Sequence, residues 1–201
     1  MQSIENKTIT IDGAPINILM AGDFSTTPFL FLHGKAFQAE TWKELGTLQA
    51  AIEAGYSILA LDLPGFGKGP ESSVSPEAII NGVIEATGIK SAFLIAQSMS
   101  GRIGIEFSLA NPEKISGLVL IGAVGVEENR DQLHNLPTKT LIIWGEIDQI
   151  SDPSNAQLLH EKIRGSELVI FPGAKHPCYL EQPEFWHQTL LSFAKNIANS
   201  K

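Results

Sequence analysis

Three residue types that together can transfer an acyl group occur in the order Ser98, Asp148 and His176. A serine hydroxyl is a poor nucleophile near neutral pH, so a histidine must take its proton during attack and return a proton to the leaving group. A carboxylate must fix the tautomer of that imidazole and stabilise the imidazolium. All three follow apolar runs typical of strands, and open parallel sheets place their active sites at the carboxyl ends of strands. The pattern predicts a nucleophile at Ser98, a base at His176 and an acid at Asp148.

The residues around Ser98 favour it as the nucleophile. An apolar run, Ala92 to Ala96, ends just before it, and a helix-like pattern follows. A serine on such a sharp strand-to-helix turn, commonly written G-x-S-x-G, is lifted off the sheet edge. Alanine at position 96 and serine at position 100 are the next smallest residues for the glycine positions of this crowded turn. Ser100 is a poorer candidate, because Arg102, two residues later, is far too large for the turn.

Two backbone N–H groups are expected to hold the oxyanion of the tetrahedral intermediate. Met99 N–H follows the nucleophile directly. Lys35 N–H lies in the loop after the third predicted strand, where Gly34 is expected to leave room for the acyl oxygen. Losing one such donor typically removes about 3 kcal/mol of transition-state stabilisation.

Other polar residues near predicted strand ends have alternative roles. Glu146 is a nearby alternative as the acid. His33 is expected to order the oxyanion loop by hydrogen bonding, and Asp62 is expected to fix the tight turn at Pro64-Gly65-Phe66-Gly67. Cys178 is interpreted as a small, buried apolar group.

Composition limits the class of protein and of partner. The 201 residues carry a net charge of −8, whereas a nucleic-acid binder needs a basic face. No apolar run approaches the roughly 18 residues that cross a bilayer, and Met1 to Lys7 lack the order of a signal peptide. The single cysteine excludes an internal disulfide. We expect a cytoplasmic protein with a small-molecule acyl ester or thioester substrate, no nucleic-acid or membrane partner, and a protein partner left open.

Neither a cofactor nor a metal is expected. The glycine-rich segment Gly65-Phe66-Gly67-Lys68-Gly69 lacks the spacing of a phosphate-binding loop, and no dinucleotide fingerprint follows the first strand. The histidines and carboxylates show no spacing that suggests a metal site.

Strand-like and helix-like segments alternate along the chain, which is typical of an α/β domain with a mostly parallel sheet. The second half of the strands is almost wholly apolar, as in a sheet covered by helices on both faces. The first two are shorter and are expected to form an antiparallel hairpin through Gly13-Ala14-Pro15. Strands are predicted at Thr8–Asp12, Ile16–Ala21, Pro28–His33, Ser57–Asp62, Ala92–Gln97, Gly117–Gly122, Lys139–Gly145 and Glu167–Phe171. Helices are predicted at Ala39–Ala54, Pro76–Thr87, Met99–Ala110, Pro153–Ile163 and Pro183–Ala198.

No repeat or linker interrupts this order, so one domain over residues 1–201 is expected. The connection after the sixth strand, Val124 to Asn135, is too short for a helical lid. An open site handles short or exposed acyl groups better than long buried chains. Its expected rim residues are Gly34, Ala36, Phe37, Val124 and Tyr179.

Several segments carry a resemblance to a known family, including Leu32-His33-Gly34, Glu40-Thr41-Trp42, Asp62-Leu63-Pro64-Gly65, Ser98-Met99-Ser100-Gly101 and His176-Pro177-Cys178-Tyr179-Leu180. Over nearly its full length the chain resembles the α/β-hydrolases, which share its serine, acid, histidine order. It most resembles their small lidless branch called abhydrolase domain-containing protein fourteen, whose elbow also reads Ser-x-Ser-Gly. The resemblance implies the α/β-hydrolase fold, the triad, and activity on small acyl esters.

A serine hydrolase for small carboxylic esters or thioesters is the leading hypothesis. Three alternatives stay open: transfer of the acyl group to an acceptor other than water, a binding module with a relic triad, and a hydrolase of another bond type. Hydrolysis of a carbon–halogen bond is disfavoured, because those enzymes generally need an aspartate at position 98.

Overall fold

The computed structural model describes residues 3–137 and 139–199. Eight strands form one sheet in the order β1-β2-β4-β3-β5-β6-β7-β8. β1 is antiparallel to β2 and β2 to β4, whereas every other neighbouring pair is parallel. The strands are β1 (Glu5–Ile11), β2 (Ala14–Ala21), β3 (Phe29–Leu32), β4 (Ile58–Leu61), β5 (Ala92–Gln97), β6 (Ile115–Ile121), β7 (Thr140–Gly145) and β8 (Glu167–Phe171). The mostly parallel eight-stranded sheet is confirmed.

Helices cover both faces of the sheet. They are α1 (Ala39–Glu44), α2 (Thr47–Glu53), α3 (Pro76–Thr87), α4 (Met99–Ala110), α5 (Ser154–Lys162), α6 (Cys178–Glu181) and α7 (Pro183–Asn199). On one face, α3, α4 and α5 bury apolar side chains such as Ile80, Ile105 and Leu159. On the other, Trp42 of α1 and Trp186 of α7 pack into a second core with residues of α2 and α6. The central strands β3, β4, β5 and β7 are therefore buried on both faces, which explains their continuous apolar sequences.

Two boundaries differ from the sequence prediction for identifiable reasons. The first hairpin turns at Asp12-Gly13, both at positive φ, and not at Gly13-Ala14-Pro15, since a two-residue turn of this kind fits the twist of the paired strands. The single helix predicted over Ala39–Ala54 is two helices, because Gly46 adopts a φ of 83° and ends the first run.

The connection after β6 carries no lid in its described part, residues 122–137. It contains only two 3₁₀ turns, Glu127–Asn129 and Leu133–Asn135. Among the described residues, no helix has the length and apolarity to cross a membrane. Five residues of the predicted domain lie outside the described residues: Met1, Gln2, Thr138, Ser200 and Lys201. Met1 and Gln2 also belong to the N-terminal segment that lacks the order of a signal peptide.

Candidate active site

Ser98 stands on the turn between β5 and α4 in a backbone conformation that non-glycine residues rarely adopt. Its φ is 53° and its ψ is −112°. Its N–H donates to the carbonyl of Ile121 at 2.9 Å, and its own carbonyl accepts from Gly101 N at 2.9 Å and Val124 N at 3.1 Å. These hydrogen bonds to β6 and α4 hold the turn in its strained shape.

Small residues let the turn pack closely against its neighbours. A Cβ added at Gly104 would lie 2.6 Å from the Cβ of Ala96, so both positions must stay small. Ser100 is fully buried; its Oγ accepts from Gln97 N at 2.9 Å and donates to Gln97 O at 3.0 Å. These bonds give Ser100 a structural role in the turn.

The structure brings the three predicted residues together in a continuous hydrogen-bonded chain. Ser98 Oγ lies 2.6 Å from His176 Nε2, and His176 Nδ1 lies 2.7 Å from Asp148 Oδ2. Asp148 is 5% exposed, and its other oxygen accepts from the backbone N–H groups of Ile150 at 2.8 Å and Ser151 at 3.0 Å. With Nδ1–H donating to the carboxylate, Nε2 is free to accept the serine proton.

The alternative acid takes a different position. Glu146 is exposed, and its Oε2 accepts from Gly173 N at 2.7 Å, which ties β7 to the turn after β8. Asp148 is the carboxylate in contact with His176.

Gly122, at the end of β6, is a site residue that the sequence reasoning missed. Its φ is 50°, and an added Cβ would lie 3.1 Å from Nδ1 of His176 and 3.2 Å from Oδ2 of Asp148. A side chain here would crowd the histidine–carboxylate pair. Its position directly after an apolar strand was the one sequence feature that could have indicated a site residue.

The loop after β3 is oriented by His33. The ring is buried; its Nδ1 donates to Gly34 O at 2.8 Å, and its Nε2 accepts from Leu63 N at 3.1 Å. Burial lowers the pKa of His33 below its ordinary value, which favours the neutral ring that this pairing needs. In a trans peptide the C=O and the following N–H point in opposite directions, so Lys35 N–H faces away from His33.

Within the described residues, neither Lys35 N–H nor Met99 N–H donates to another protein group. Met99 is the first residue of α4, where an N–H has no partner inside the helix. Both N–H groups are therefore free of protein acceptors, as oxyanion donors must be.

Asp62 connects the strands and loops beside this site. Its carboxylate accepts from Asn17 Nδ2 at 2.8 Å, Ala39 N at 2.8 Å and Lys68 N at 2.9 Å. A side chain at Gly67 would collide with it. The carboxylate thus joins β2, the start of α1 and the turn after β4.

The predicted rim residues occupy different environments. Ala36 is exposed and Val124 is partly exposed, whereas the rings of Phe37 and Tyr179 form a T-shaped pair with centroids 6.2 Å apart. Tyr179 is 1% exposed and stacks on Trp42, so its ring belongs to the core.

Gly34 cannot carry a side chain, and its expected role of leaving room for the acyl oxygen stays a prediction. A Cβ added there would collide with the side-chain amide of Gln97.

The remaining candidates carry no chemistry in this structure. Cys178 is buried, and burial raises the pKa of its thiol to about 12, so the thiol stays protonated. Clefts of about 420 and 490 Å³ lie at the opposite edge of the sheet near Asp23, and neither Ser98 nor His176 lines them. Among residues 3–137 and 139–199, no three His, Cys, Asp or Glu side chains are grouped to hold a metal ion.

Known proteins resemble this chain in sequence and in fold. Residues 27–139 match the family model described as alpha/beta hydrolase fold. Protein ABHD14A of Danio rerio is 36% identical over 175 residues, which cover 84% of this chain and 64% of that protein, less than two thirds of its length. ABHD14B of Rattus norvegicus, provisionally named a protein-lysine deacylase, is 33% identical over 177 residues, which cover 84% of this chain and 83% of that protein.

A solved structure gives the same fold. The crystal structure of a protein from Thermoplasma acidophilum, described as a CIB-like hydrolase, superposes with a TM-score of 0.93 at 23% identity, covering 98% of this chain and 100% of that one. The matched motifs, the lidless sheet and these relatives agree: the chain belongs to the α/β-hydrolase fold family and, within it, to the abhydrolase domain-containing protein 14 type.

Proposed function

We propose that this protein is a serine hydrolase that cleaves small carboxylic esters or thioesters through an acyl-enzyme on Ser98. The proposal rests above all on the hydrogen-bonded chain in which Ser98 Oγ lies 2.6 Å from His176 Nε2 and His176 Nδ1 lies 2.7 Å from Asp148 Oδ2. The strained turn at Ser98 supports it, because such strain is concentrated at functional sites. Family membership supports hydrolase chemistry in general.

In the proposed mechanism, His176 Nε2 takes the hydroxyl proton as Ser98 Oγ bonds to the acyl carbon. The carbonyl electron pair moves onto oxygen, which the N–H groups of Lys35 and Met99 stabilise. When the intermediate collapses, the bond to the leaving group breaks and His176 returns the proton to it. Water then repeats the sequence on the acyl-enzyme and releases the acid.

The edge of the sheet around Ser98 favours short acyl groups. The connection after β6 contributes only 3₁₀ turns in its described part, so it cannot enclose a long chain. The neighbouring ring of Tyr179 is packed into the core. A long acyl chain would gain little burial here.

A second candidate uses the same residues on an amide. The rat relative is provisionally named a protein-lysine deacylase, and an acyl-lysine differs from an ester mainly in its leaving amine. Ser98 is partly exposed at an uncapped edge, where a side chain carried by a protein can reach it. A protein partner would then be a substrate, and an acceptor other than water remains compatible with the acyl-enzyme.

The substrate class is tested with nitrophenyl esters and thioesters of increasing chain length. We expect a higher kcat/KM for acetyl and butyryl esters than for long-chain esters, and loss of turnover in Ser98→Ala. Ser108→Ala is the matched control, because Ser108 Oγ is buried on α4 without a partner and its removal leaves the site intact. Much higher efficiency on long chains would contradict the proposed substrate class.

A further inference from the structure

The side chain of Gln97 places a polar amide directly beside the nucleophile. It is fully buried, and neither Oε1 nor Nε2 has a hydrogen-bond partner. Among the described residues, it is the one side chain with two buried polar atoms that lack a hydrogen-bond partner. Burying an amide without replacing its hydrogen bonds to water lowers stability, so two unpaired atoms on one side chain beside the nucleophile call for an explanation.

The amide lies against the loop that carries one proposed oxyanion donor. A Cβ added at Gly34 would collide with Gln97 Oε1 and would lie 3.2 Å from Nε2, so the amide occupies the space of the missing side chain. Lys35, whose N–H is the donor, is the next residue. No hydrogen bond opposes rotation about the last side-chain bond of Gln97, so either amide atom can face this loop.

An acyl group on Ser98 would extend close to this amide. An oxyanion lies about 3 Å from its donors. With the acyl oxygen between Lys35 N–H and Met99 N–H, the first carbons beyond the carbonyl can lie beside Gly34. Gln97 is covered there, whereas Lys35 and Ala36 are exposed, so contact between the amide and an acyl group requires their loop to shift outward.

We propose that Gln97 determines substrate specificity by hydrogen-bonding a polar atom of the acyl group. The preferred acyl groups then carry a hydroxyl or keto oxygen on the first or second carbon beyond the carbonyl. This inference rests on the proposed acyl-enzyme at Ser98 and names the substrate class of that site. A site built to bond such an oxygen rejects an alkyl analogue, because the amide is then left unpaired.

The test compares esters that share one leaving group: butyryl, 2-hydroxybutyryl, 3-hydroxybutyryl and 3-oxobutyryl. We expect at least one oxygenated ester to exceed butyryl in kcat/KM by about tenfold or more, the effect of one net hydrogen bond. In Gln97→Met, which keeps an unbranched chain without the amide, the ratio should fall toward one. A purely structural role would lower the stability of the variant without changing this ratio.

A fluorophosphonate probe, which reacts with an activated serine and has no oxygenated acyl chain, separates the possible failures. If the probe labels the wild-type protein but kcat/KM is equal across the esters, or highest for butyryl, the proposed role of Gln97 is wrong. The proposed nucleophile Ser98 is then unaffected. Retention of the preference in Gln97→Met also overturns it. Absence of labelling in folded wild-type protein contradicts the proposed function and this inference with it. If Gln97→Met does not fold, the wild-type series still decides.

Discussion

At the scale of single residues, the proposed nucleophile Ser98 lies in a strained backbone conformation. Its φ of 53° and ψ of −112° are tolerated by glycine and unfavourable for a residue with a Cβ. The hydrogen bonds of the turn and the close packing of Ala96 and Gly104 impose this conformation. The backbone strain therefore lies at the residue whose Oγ must project from the sheet edge.

Relief of this strain should stabilise the protein while removing the nucleophile. We expect Ser98→Gly to raise the free energy of unfolding by about 1 kcal/mol, since glycine fits this backbone conformation. Urea denaturation would measure the change. Ser98→Ala removes the same hydroxyl but keeps the Cβ, so it should give no comparable gain. Equal stability of the two variants would contradict the assignment of strain.

Asp148 should act through the tautomer of His176. In Asp148→Asn, an amide N–H can donate to Nδ1 and favour the tautomer with Nε2 protonated, which cannot accept the serine proton. We expect kcat for a short-chain ester to fall by about 10⁴-fold, with little change in KM. Glu146→Gln is the matched control and should keep its activity, because Glu146 bonds Gly173. If kcat fell further in Glu146→Gln than in Asp148→Asn, Glu146 would be the acid of the triad.

At the scale of secondary-structure elements, local signals predicted the segments that carry the nucleophile. β5 and α4 have the predicted bounds, as does α3, which begins at an N-cap serine and ends at Gly88 with a φ of 71°. Short elements were harder to predict. The four-residue helix α6 has too few residues for a period, and the break at Gly46 depends on one backbone angle.

Two histidines make the stability of these elements dependent on pH. Burial lowers the pKa of His33 and of His187 in α7. His187 Nε2 pairs with Thr47 Oγ1 of α2 at 3.0 Å, and Thr47 Oγ1 also accepts from Trp186 Nε1, so the hydroxyl proton is free to be donated to the neutral ring that burial favours. A lowered pKa means that the unfolded chain binds more protons, so these contributions are present above about pH 6.5 and decrease below it.

We therefore expect the urea midpoint to be constant above about pH 7 and to fall as the pH drops below about 6.5 toward the lowered pKa values. His187→Gln should reduce the slope, because glutamine does not titrate. A midpoint that rises on acidification over this interval would contradict the assignment of neutral histidines.

At the scale of the whole molecule, the parallel sheet assembles the site from distant parts of the chain. The ends of β3, β5, β6, β7 and β8 contribute the loop with the proposed oxyanion donor Lys35, Ser98, Gly122, Asp148 and His176. Residue type and order along the strands were sufficient to propose the three reacting groups, because strand ends meet at one edge. Gly34 and Gln97 were not predictable as a pair, since their contact depends on how β5 packs beside the loop after β3.

The proposed function requires that His176 activates Ser98. Incubation with a fluorophosphonate probe, followed by intact mass measurement of wild-type protein and Ser98→Ala, tests this activation. We expect one adduct on the wild-type protein and none on the variant. No adduct on folded wild-type protein would contradict it and favour a binding protein that retains the fold, and an equal adduct on Ser98→Ala would place the reactive serine elsewhere.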